Sequence, residues 1–490
     1  MDQTKPIVFN NFAGGYCGNY PITNLAPNQA SDLDNIVLKA NGQGFRSRLG
    51  NAQYTVNTFN SGANIQGIGY LLTSAQSTYL GTVAGNKFYR VSDATDYTGA
   101  LTITAGADNQ WSLFPFNDKL IGFGGPPTSP DAPFEWSGTA NATALTGTPP
   151  SAYGGFSANN RVFAFRTSAN PSTIYWSIIA NQNDWTGAGS GNATIGSLSD
   201  SQRITGAAIL STNYAIIFKD TSCYQMVLSQ APFPVYSLFD TVGCPGKGAC
   251  LAIDGIVYWI NQFGHMVSTE GENITEYPPA ADDLWNSVQA SRYPYIKGFR
   301  QKGPDFDWIV WCVSTTGSTN NRAIVWDLHN KCWLRCSTGY NFNVAANDNA
   351  QVNYCGGYDG KIYVLSQSAT YTDASNSSAA IASYWRSGWI NPQVNNEIVQ
   401  VNKAIATYST KASGNITLNY GFDFNLDSAS ATFSQVATGT ELYTSRLNVL
   451  TGRGNFFNFK VGLSSSTIDM NFQTLTLRGK VYGQKRISAS

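Results

Sequence analysis

One short unit recurs along most of this chain and restricts its fold more than any other feature. A turn containing Asn, Asp or Gly is followed by a brief apolar and aromatic run. The unit appears as Gly85-Asn86-Lys87-Phe88-Tyr89-Arg90-Val91, Asn117-Asp118-Lys119-Leu120-Ile121-Gly122-Phe123 and Asn159-Asn160-Arg161-Val162-Phe163-Ala164-Phe165. It returns as Thr212-Asn213-Tyr214-Ala215-Ile216-Ile217-Phe218, Asp254-Gly255-Ile256-Val257-Tyr258-Trp259, Asp305-Phe306-Asp307-Trp308-Ile309-Val310-Trp311 and Asp359-Gly360-Lys361-Ile362-Tyr363-Val364-Leu365. The turn residues tolerate positive φ. The runs are apolar on both faces, as in strands sandwiched between neighbouring sheets. Intervals of roughly 33 to 53 residues match a four-stranded propeller blade. Radial stacking of such blades buries both faces and leaves only short edges. The expected fold is all-β: a β-propeller of six or seven blades over residues 56–366, the alternative being several stacked sandwiches.

Composition agrees with strands. Of 490 residues, 42% are hydrophobic, 13% aromatic and only 12% charged. The charged share is about half the usual value. Gly, Asn, Ser and Thr take the place of the Lys and Glu that helices favour. The 30 basic and 30 acidic residues cancel, so there is no electrostatic footprint for tight, sequence-specific nucleic-acid binding. A neutral wall can still line a passage for DNA. The start, Met1-Asp2-Gln3-Thr4-Lys5-Pro6, lacks an apolar signal core, and no apolar stretch is long enough to span a membrane. The expectation is therefore folding in a reducing cytoplasm without membrane insertion. The eight cysteines include no CxxC pair and read as free buried thiols.

Two regions lie outside the repeat. Residues 1–55 form an N-terminal segment, with Phe12-Ala13-Gly14-Gly15-Tyr16 near its start and Arg46-Ser47-Arg48-Leu49-Gly50 near its end. A polar run covers Ser366-Gln367-Ser368-Ala369-Thr370 and Asp373-Ala374-Ser375-Asn376-Ser377-Ser378. It has little to bury, which predicts a linker or long loop over 367–382. Beyond it, Ile416-Thr417-Leu418-Asn419-Tyr420, Phe457-Asn458-Phe459-Lys460-Val461 and Leu475-Thr476-Leu477-Arg478-Gly479-Lys480-Val481-Tyr482 alternate apolar and polar residues. Period two means one buried and one solvated face. Residues 383–490 are expected to form a β-sandwich, to which the N-terminal segment can contribute.

Catalytic patterns are nearly absent. There are two histidines, His265 and His329, and no HExxH, GxSxG or Walker A pattern. The nearest phosphate-loop lookalike, Gly243-Cys244-Pro245-Gly246-Lys247-Gly248, lacks the spacer and the Ser/Thr, and Pro245 removes a backbone donor. It reads as a tight turn between strands. His329, Cys332 and Cys336 have no fourth ligand of suitable spacing. Cys332, Leu334 and Cys336 share one face of a strand, which makes them core. Cys244 and Cys250 also read as buried thiols. Acidic pairs suited to glycoside hydrolysis, Asp282-Asp283, Asp305 with Asp307, and Glu270 with Glu272, lie in turn-like contexts, and the Ser-x-Asp-x-Gly-x-x-Trp box of sialidase propellers is missing. Trp176, Trp185, Trp308, Trp311 and Trp326 read as core between blades rather than as sugar platforms. No catalytic, cofactor-binding or metal-ligating residue is assigned, no cofactor is expected, and the chain reads as a non-enzyme.

The N-terminal stretch resembles a known family. Phe9-Asn10-Asn11-Phe12-Ala13-Gly14-Gly15 leads to Leu25-Ala26-Pro27-Asn28-Gln29-Ala30. Asp32-Leu33-Asp34-Asn35-Ile36 and Gly44-Phe45-Arg46-Ser47-Arg48-Leu49-Gly50 follow. This looks like the opening of the tail nozzle proteins of short-tailed bacteriophages, also called tail tubular protein B or tail accessory and stabilisation proteins. There a glycine-rich start precedes an Asn-aliphatic … Arg-x-Gly segment. Pro171-Ser172-Thr173-Ile174-Tyr175-Trp176-Ser177 with Asp184-Trp185 is similar to one of the family's blades. Val242-Gly243-Cys244 through Gly255-Ile256-Val257-Tyr258-Trp259-Ile260 and Phe263-Gly264-His265 is similar to another, and Gly452-Arg453-Gly454-Asn455-Phe456-Phe457 also fits.

The resemblance implies a structural virion protein. Family members form a ring, usually of six copies, below the portal and adaptor, with tail fibre, spike or needle proteins at the sides and below. The ring retains and conducts the DNA genome during ejection, without sequence specificity. Assembly takes place in the bacterial host cytoplasm. No catalytic residues carry over. The alternatives are a carbohydrate-binding or carbohydrate-cleaving propeller acting as a receptor-binding tail component, and another tail hub or stopper.

Overall fold

The computed structural model describes residues 6–40, 42–196, 202–365, 371–391, 398–410, 414–435, 444–465 and 470–482. Among them, seven four-stranded antiparallel sheets form the blades of a β-propeller. The first strand of each blade lies innermost: Ile65–Leu72, Gln110–Phe116, Ala152–Ala158, Ile204–Ile209, Cys250–Ile253, Lys297–Lys302 and Phe342–Asn347. Each touches the next, and the last touches the first, which closes the ring.

The recurring turns build the blade hairpins. Asn117 and Asp118 both have positive φ, as do Asn159 and Asn160, and Asp254 and Gly255. That is the conformation of two-residue hairpins whose twist matches the strands. Gly85 and Gly360 supply single positive φ values, whereas the turns at 212–213 and 305–306 have none. The marker turn precedes the second strand in five blades but the third strand in the first and last (Lys87–Arg90 and Ile362–Leu365). This shift is why the spacing along the chain is irregular although the blades are alike.

The last blade takes its outer strand from the N-terminal segment. Asn51–Gln53 pairs with Ile362–Leu365, Leu365 opposite Asn51. The propeller therefore begins at residue 51 rather than 56. A strand distant in sequence clasps the ring and leaves no half-made blade with an open edge.

The sandwich joins the two ends of the chain. One sheet runs Thr444–Val449, Ile398–Ser409, Asn471–Tyr482, Phe45–Ser47, Ile36–Leu38, with Ile7–Phe9 also paired to Asn471–Tyr482. The other runs Gly15–Tyr16, Gln29–Asp34, Ala379–Ser387, Phe457–Ser465, Gly414–Phe422, Asn425–Gln435. Between them sits an aromatic cluster. The Phe12 ring lies 5.1 Å from Phe45 and 5.0 Å from Trp385, and Phe9 lies 4.8 Å from Phe459. Such edge contacts add about 0.5–1.5 kcal/mol each beyond area burial.

The expected alternation holds at Ile416, Leu418 and Tyr420, all buried with Thr417 and Asn419 half-exposed between them. Asn458 departs from it. Expected on the solvated face, it is buried, and its amide donates to the Ser387 carbonyl at 2.6 Å. The 20–25 loop covers this side of the sheet, since Trp389 donates its backbone N–H to the Ile22 carbonyl.

The predicted linker over 367–382 is the larger correction. Residues 366–370 lie outside the described residues. Thr372–Asp373 is a short strand, Ala374–Asn376 a turn of 3₁₀ helix, and Ala379–Ser387 a full strand. Asp373 is 1% exposed. The polar composition is real, but Asp373 and Ser375 are satisfied by protein partners, while Ser377 and Ser378 stay exposed.

Candidate functional site

Two clusters of buried charge stand out, and they are built differently. The first is at the junction of propeller and sandwich. Asn35 adopts positive φ (52°) and donates its amide to the Ala382 carbonyl. Its side-chain oxygen accepts from the Arg48 guanidinium at 2.9 Å. The same guanidinium donates to both oxygens of Asp373, at 2.8 and 2.5 Å, and to the Thr338 carbonyl at 2.8 Å. Burial alone would pull the Arg48 pKa down, but Asp373 and its hydrogen bonds hold it above the usual arginine value. Gly50 packs so closely that a Cβ would fall 1.7 Å from the Thr372 carbonyl oxygen. The Asn-aliphatic … Arg-x-Gly segment thus closes on itself and grips residues from both bodies.

A second arginine extends the junction. Arg335, on the outer strand Cys332–Cys336 of the sixth blade, contacts Asp32 at 2.8 Å and donates to the Tyr384 hydroxyl at 2.7 Å. Tyr384 in turn donates to Asp32 at 2.8 Å. Backbone N–H of Ser337 donates to Asp34 at 2.8 Å. Asp34 is raised above the normal carboxylate range by burial, which outweighs Arg335 and the Ser337 bonds.

The second cluster lines the centre of the propeller. A cavity of about 200 Å³ is bounded by inner strands, with Gln110, Ser112, Asn343, Lys247 and Lys297 as its polar groups. The loop Gly243–Gly248, read from sequence as a tight turn, does form one, and it carries Lys247 into this cavity. The Lys247 ammonium donates to the carbonyls of Gln110 (2.9 Å) and Tyr153 (2.7 Å) and lies over the Tyr153 ring at 4.2 Å. Arg166 stacks on the same ring at 4.3 Å.

Burial pushes Lys247 well below the normal lysine range, and repulsion from Arg166 and Lys297 pushes it further. Lys297 is lowered by burial, and the groups acting on it are the thiols of Cys250, Cys355 and Cys312. No carboxylate is among the residues that line the cavity. Asp108 is paired with Arg292 at 2.9 Å, and Asp220, which also acts on Arg166, with Arg203 at 3.4 Å. Sequence spacing could not reveal this site, because inner strands from separate blades converge to make it.

The other sequence candidates do not assemble. His329 is exposed while Cys332 and Cys336 are buried, and among the described residues no group of three potential metal ligands converges. All eight cysteines are buried and unpaired. Asp307 is held by Arg300 at 2.6 Å, Asp305 faces Arg46 at 3.2 Å, and Asp283 accepts from the Tyr16 hydroxyl. Glu270 and Glu272 are exposed. Trp176, Trp185, Trp308, Trp311 and Trp326 are all buried, which leaves none of them as a sugar platform.

Comparison with protein-family models and with curated protein sequences found no match. Solved structures with a similar backbone are propeller proteins. YCF48 bound to D1 peptide has a TM-score of 0.41 at 10% identity, covering 66% of this chain and 98% of that one. Virginiamycin B lyase from Staphylococcus aureus, as its selenomethionine form, has 0.40 at 11%, covering 63% and 97%. The WD40 propeller domain of Doa1 has 0.42 at 10%, covering 65% and 98%.

Proposed function

We propose that this chain is a structural virion protein, the tail nozzle of a short-tailed bacteriophage, and not an enzyme. Six copies form a ring below the portal and adaptor, fibre, spike or needle proteins bind its flanks and lower end, and the genome passes through the lumen between subunits. The observation that carries this reading is the arginine lock. The segment through which the chain resembles nozzle proteins, Asn35-Ile36 with Arg48-Leu49-Gly50, is spent on fastening propeller to sandwich (Arg48 is 3% exposed). A ring wall under internal pressure needs such a joint, because a subunit that hinges in the middle transmits no load.

Ring contacts need two different patches per subunit. Apolar side chains are available for them at Tyr236, Phe263 and Val449, and at the Phe424–Leu426 hairpin tip of the sandwich, where Phe424 is 56% exposed. The test is negative-stain microscopy and mass photometry of the full chain, alone and with a portal–adaptor complex. Six-copy rings are expected in at least the second condition. A chain that stays monomeric in both, or that never enters a virion, overturns the reading.

A further inference from the structure

We propose that the central cavity of the propeller is a binding site for a small phosphate-class oxyanion, held between Lys247 and Lys297. Two ammonium groups line one cavity of about 200 Å³ with no carboxylate among its lining residues. A third cation, Arg166, shares the Tyr153 ring with Lys247, at 4.3 and 4.2 Å. The chain as a whole is neutral, with 30 basic and 30 acidic residues. A local excess of positive charge, two half-buried lysines beside the buried Arg166, is therefore a departure from its own average.

Buried charge is normally paired or shed. Arg300 and Asp307, on the first and second strands of the sixth blade, show the paired solution at 2.6 Å. Among the described residues the cavity lysines have no acidic partner: Lys247 has two carbonyls, a ring and the like charges of Arg166 and Lys297, and Lys297 has three thiols near it. A divalent oxyanion supplies the missing charge and accepts several hydrogen bonds at once. Gln110, Ser112 and Asn343 complete a polar wall around it. Their amides and hydroxyl can donate to oxygens that the ammonium groups do not reach. The recognition is by side chains across the ring and not by a backbone cradle, so it does not need the phosphate-loop spacing that Gly243–Gly248 lacks. The site is a property of one propeller and stands whether or not copies of the chain form a ring.

The test is isothermal titration calorimetry of the full chain with inorganic phosphate at constant ionic strength. Pyrophosphate and a short single-stranded oligonucleotide serve as parallel probes. Saturable phosphate binding is expected. Lys297→Gln is expected to weaken it by about ten- to a hundredfold, the worth of a charge-assisted hydrogen bond. Lys247→Gln is expected to do the same, and Lys87→Gln on the outer surface is expected to leave binding unchanged. Lys297 makes the safer variant, because its loss leaves the carbonyls of Gln110 and Tyr153 in place. Circular dichroism confirms folding of each. Phosphate heats that do not saturate, or that are equal in Lys297→Gln and wild type, overturn the proposal. So does lysine-dependent binding of the oligonucleotide without binding of phosphate, which would make the cavity a nucleic-acid contact instead.

Discussion

The arginine lock buries its cation and the lysine cavity half-buries its two, and they surround them in opposite ways. Arg48 meets a carboxylate, an amide oxygen and a carbonyl, in a place where a short strand brings Asp373 against it. Lys247 and Lys297 face carbonyls, an aromatic ring and thiols. A cation whose partners come from the chain itself holds the fold together. A cation whose environment lacks counter-charge is available to something that is not part of the chain. The distinction rests chiefly on the partners.

The largest expected effect comes from breaking the lock on one side only. Arg48→Met leaves Asp373 buried without its cation, with only the Asn51 amide, among the described residues, donating to it at 3.2 Å, and should cost about 3–5 kcal/mol of unfolding free energy. Removing both charges with Arg48→Met and Asp373→Leu should recover much of that loss. Urea denaturation monitored by tryptophan fluorescence measures both; a double variant no better than the single one would show that the lock acts through shape and not charge. Next is Gly50→Ala, whose new methyl would press on the Thr372 carbonyl. Overpacking of that kind costs roughly 1–3 kcal/mol, read in the same titration.

The cavity should respond with the opposite sign. Lys297→Met removes an uncompensated charge and should stabilise the protein by on the order of 1 kcal/mol at pH 7 without phosphate. The charged and titratable groups acting on the two lysines are Arg166, each other, and the thiols of Cys250, Cys312 and Cys355. A lysine whose folded pKa is depressed weakens the fold fully below that pKa. The penalty fades as pH rises toward the unfolded value near 10.4. The advantage of Lys297→Met should therefore shrink between neutral pH and pH 10, as thermal melts across that range would show; an advantage that grows with pH would reverse the assignment.

The smallest effect belongs to Arg46, two residues before Arg48. Its partner Asp305 has a side chain 52% exposed, and they meet at 3.2 Å. Asp305→Ala should change stability by less than about 1 kcal/mol. A larger loss would mean that the junction depends on its exposed rim as well as on its buried lock.

Much of the fold was legible because its hairpins obey local rules. Asn117-Asp118, Asn159-Asn160 and Asp254-Gly255 announce left-handed turns, and the runs after them announce strands. The blade count was less legible, because the marker moves to a different hairpin in the first and last blades. The outer strand Asn51–Gln53 is also only three residues long and gains meaning only beside Ile362–Leu365. Asp373 was hidden by its neighbours. A polar run reads as unburiable on average, while one carboxylate in it is matched by an arginine some three hundred residues earlier. Lys247 was found as a residue and missed as a site, since nothing in residues 243–248 tells which inner strands stand opposite.

The pairing of Ile7 with Leu477 and of Asn51 with Leu365 sets a timetable for synthesis. The segment that carries Ile7 leaves the ribosome long before its partner strand does. At 5–20 residues per second, it waits on the order of 20–90 s for the strand that Ile7 joins. During that time six blades can form in sequence order while the strand Ile7–Phe9 stays unclaimed. The last blade can close once Ile362–Leu365 meets Asn51–Gln53, and the sandwich is completed later, when Asn471–Tyr482 has been made. A nascent chain cut short anywhere before residue 471 therefore cannot pair Ile7–Phe9 in this way, which makes the strand Asn471–Tyr482 a checkpoint for one made long before it.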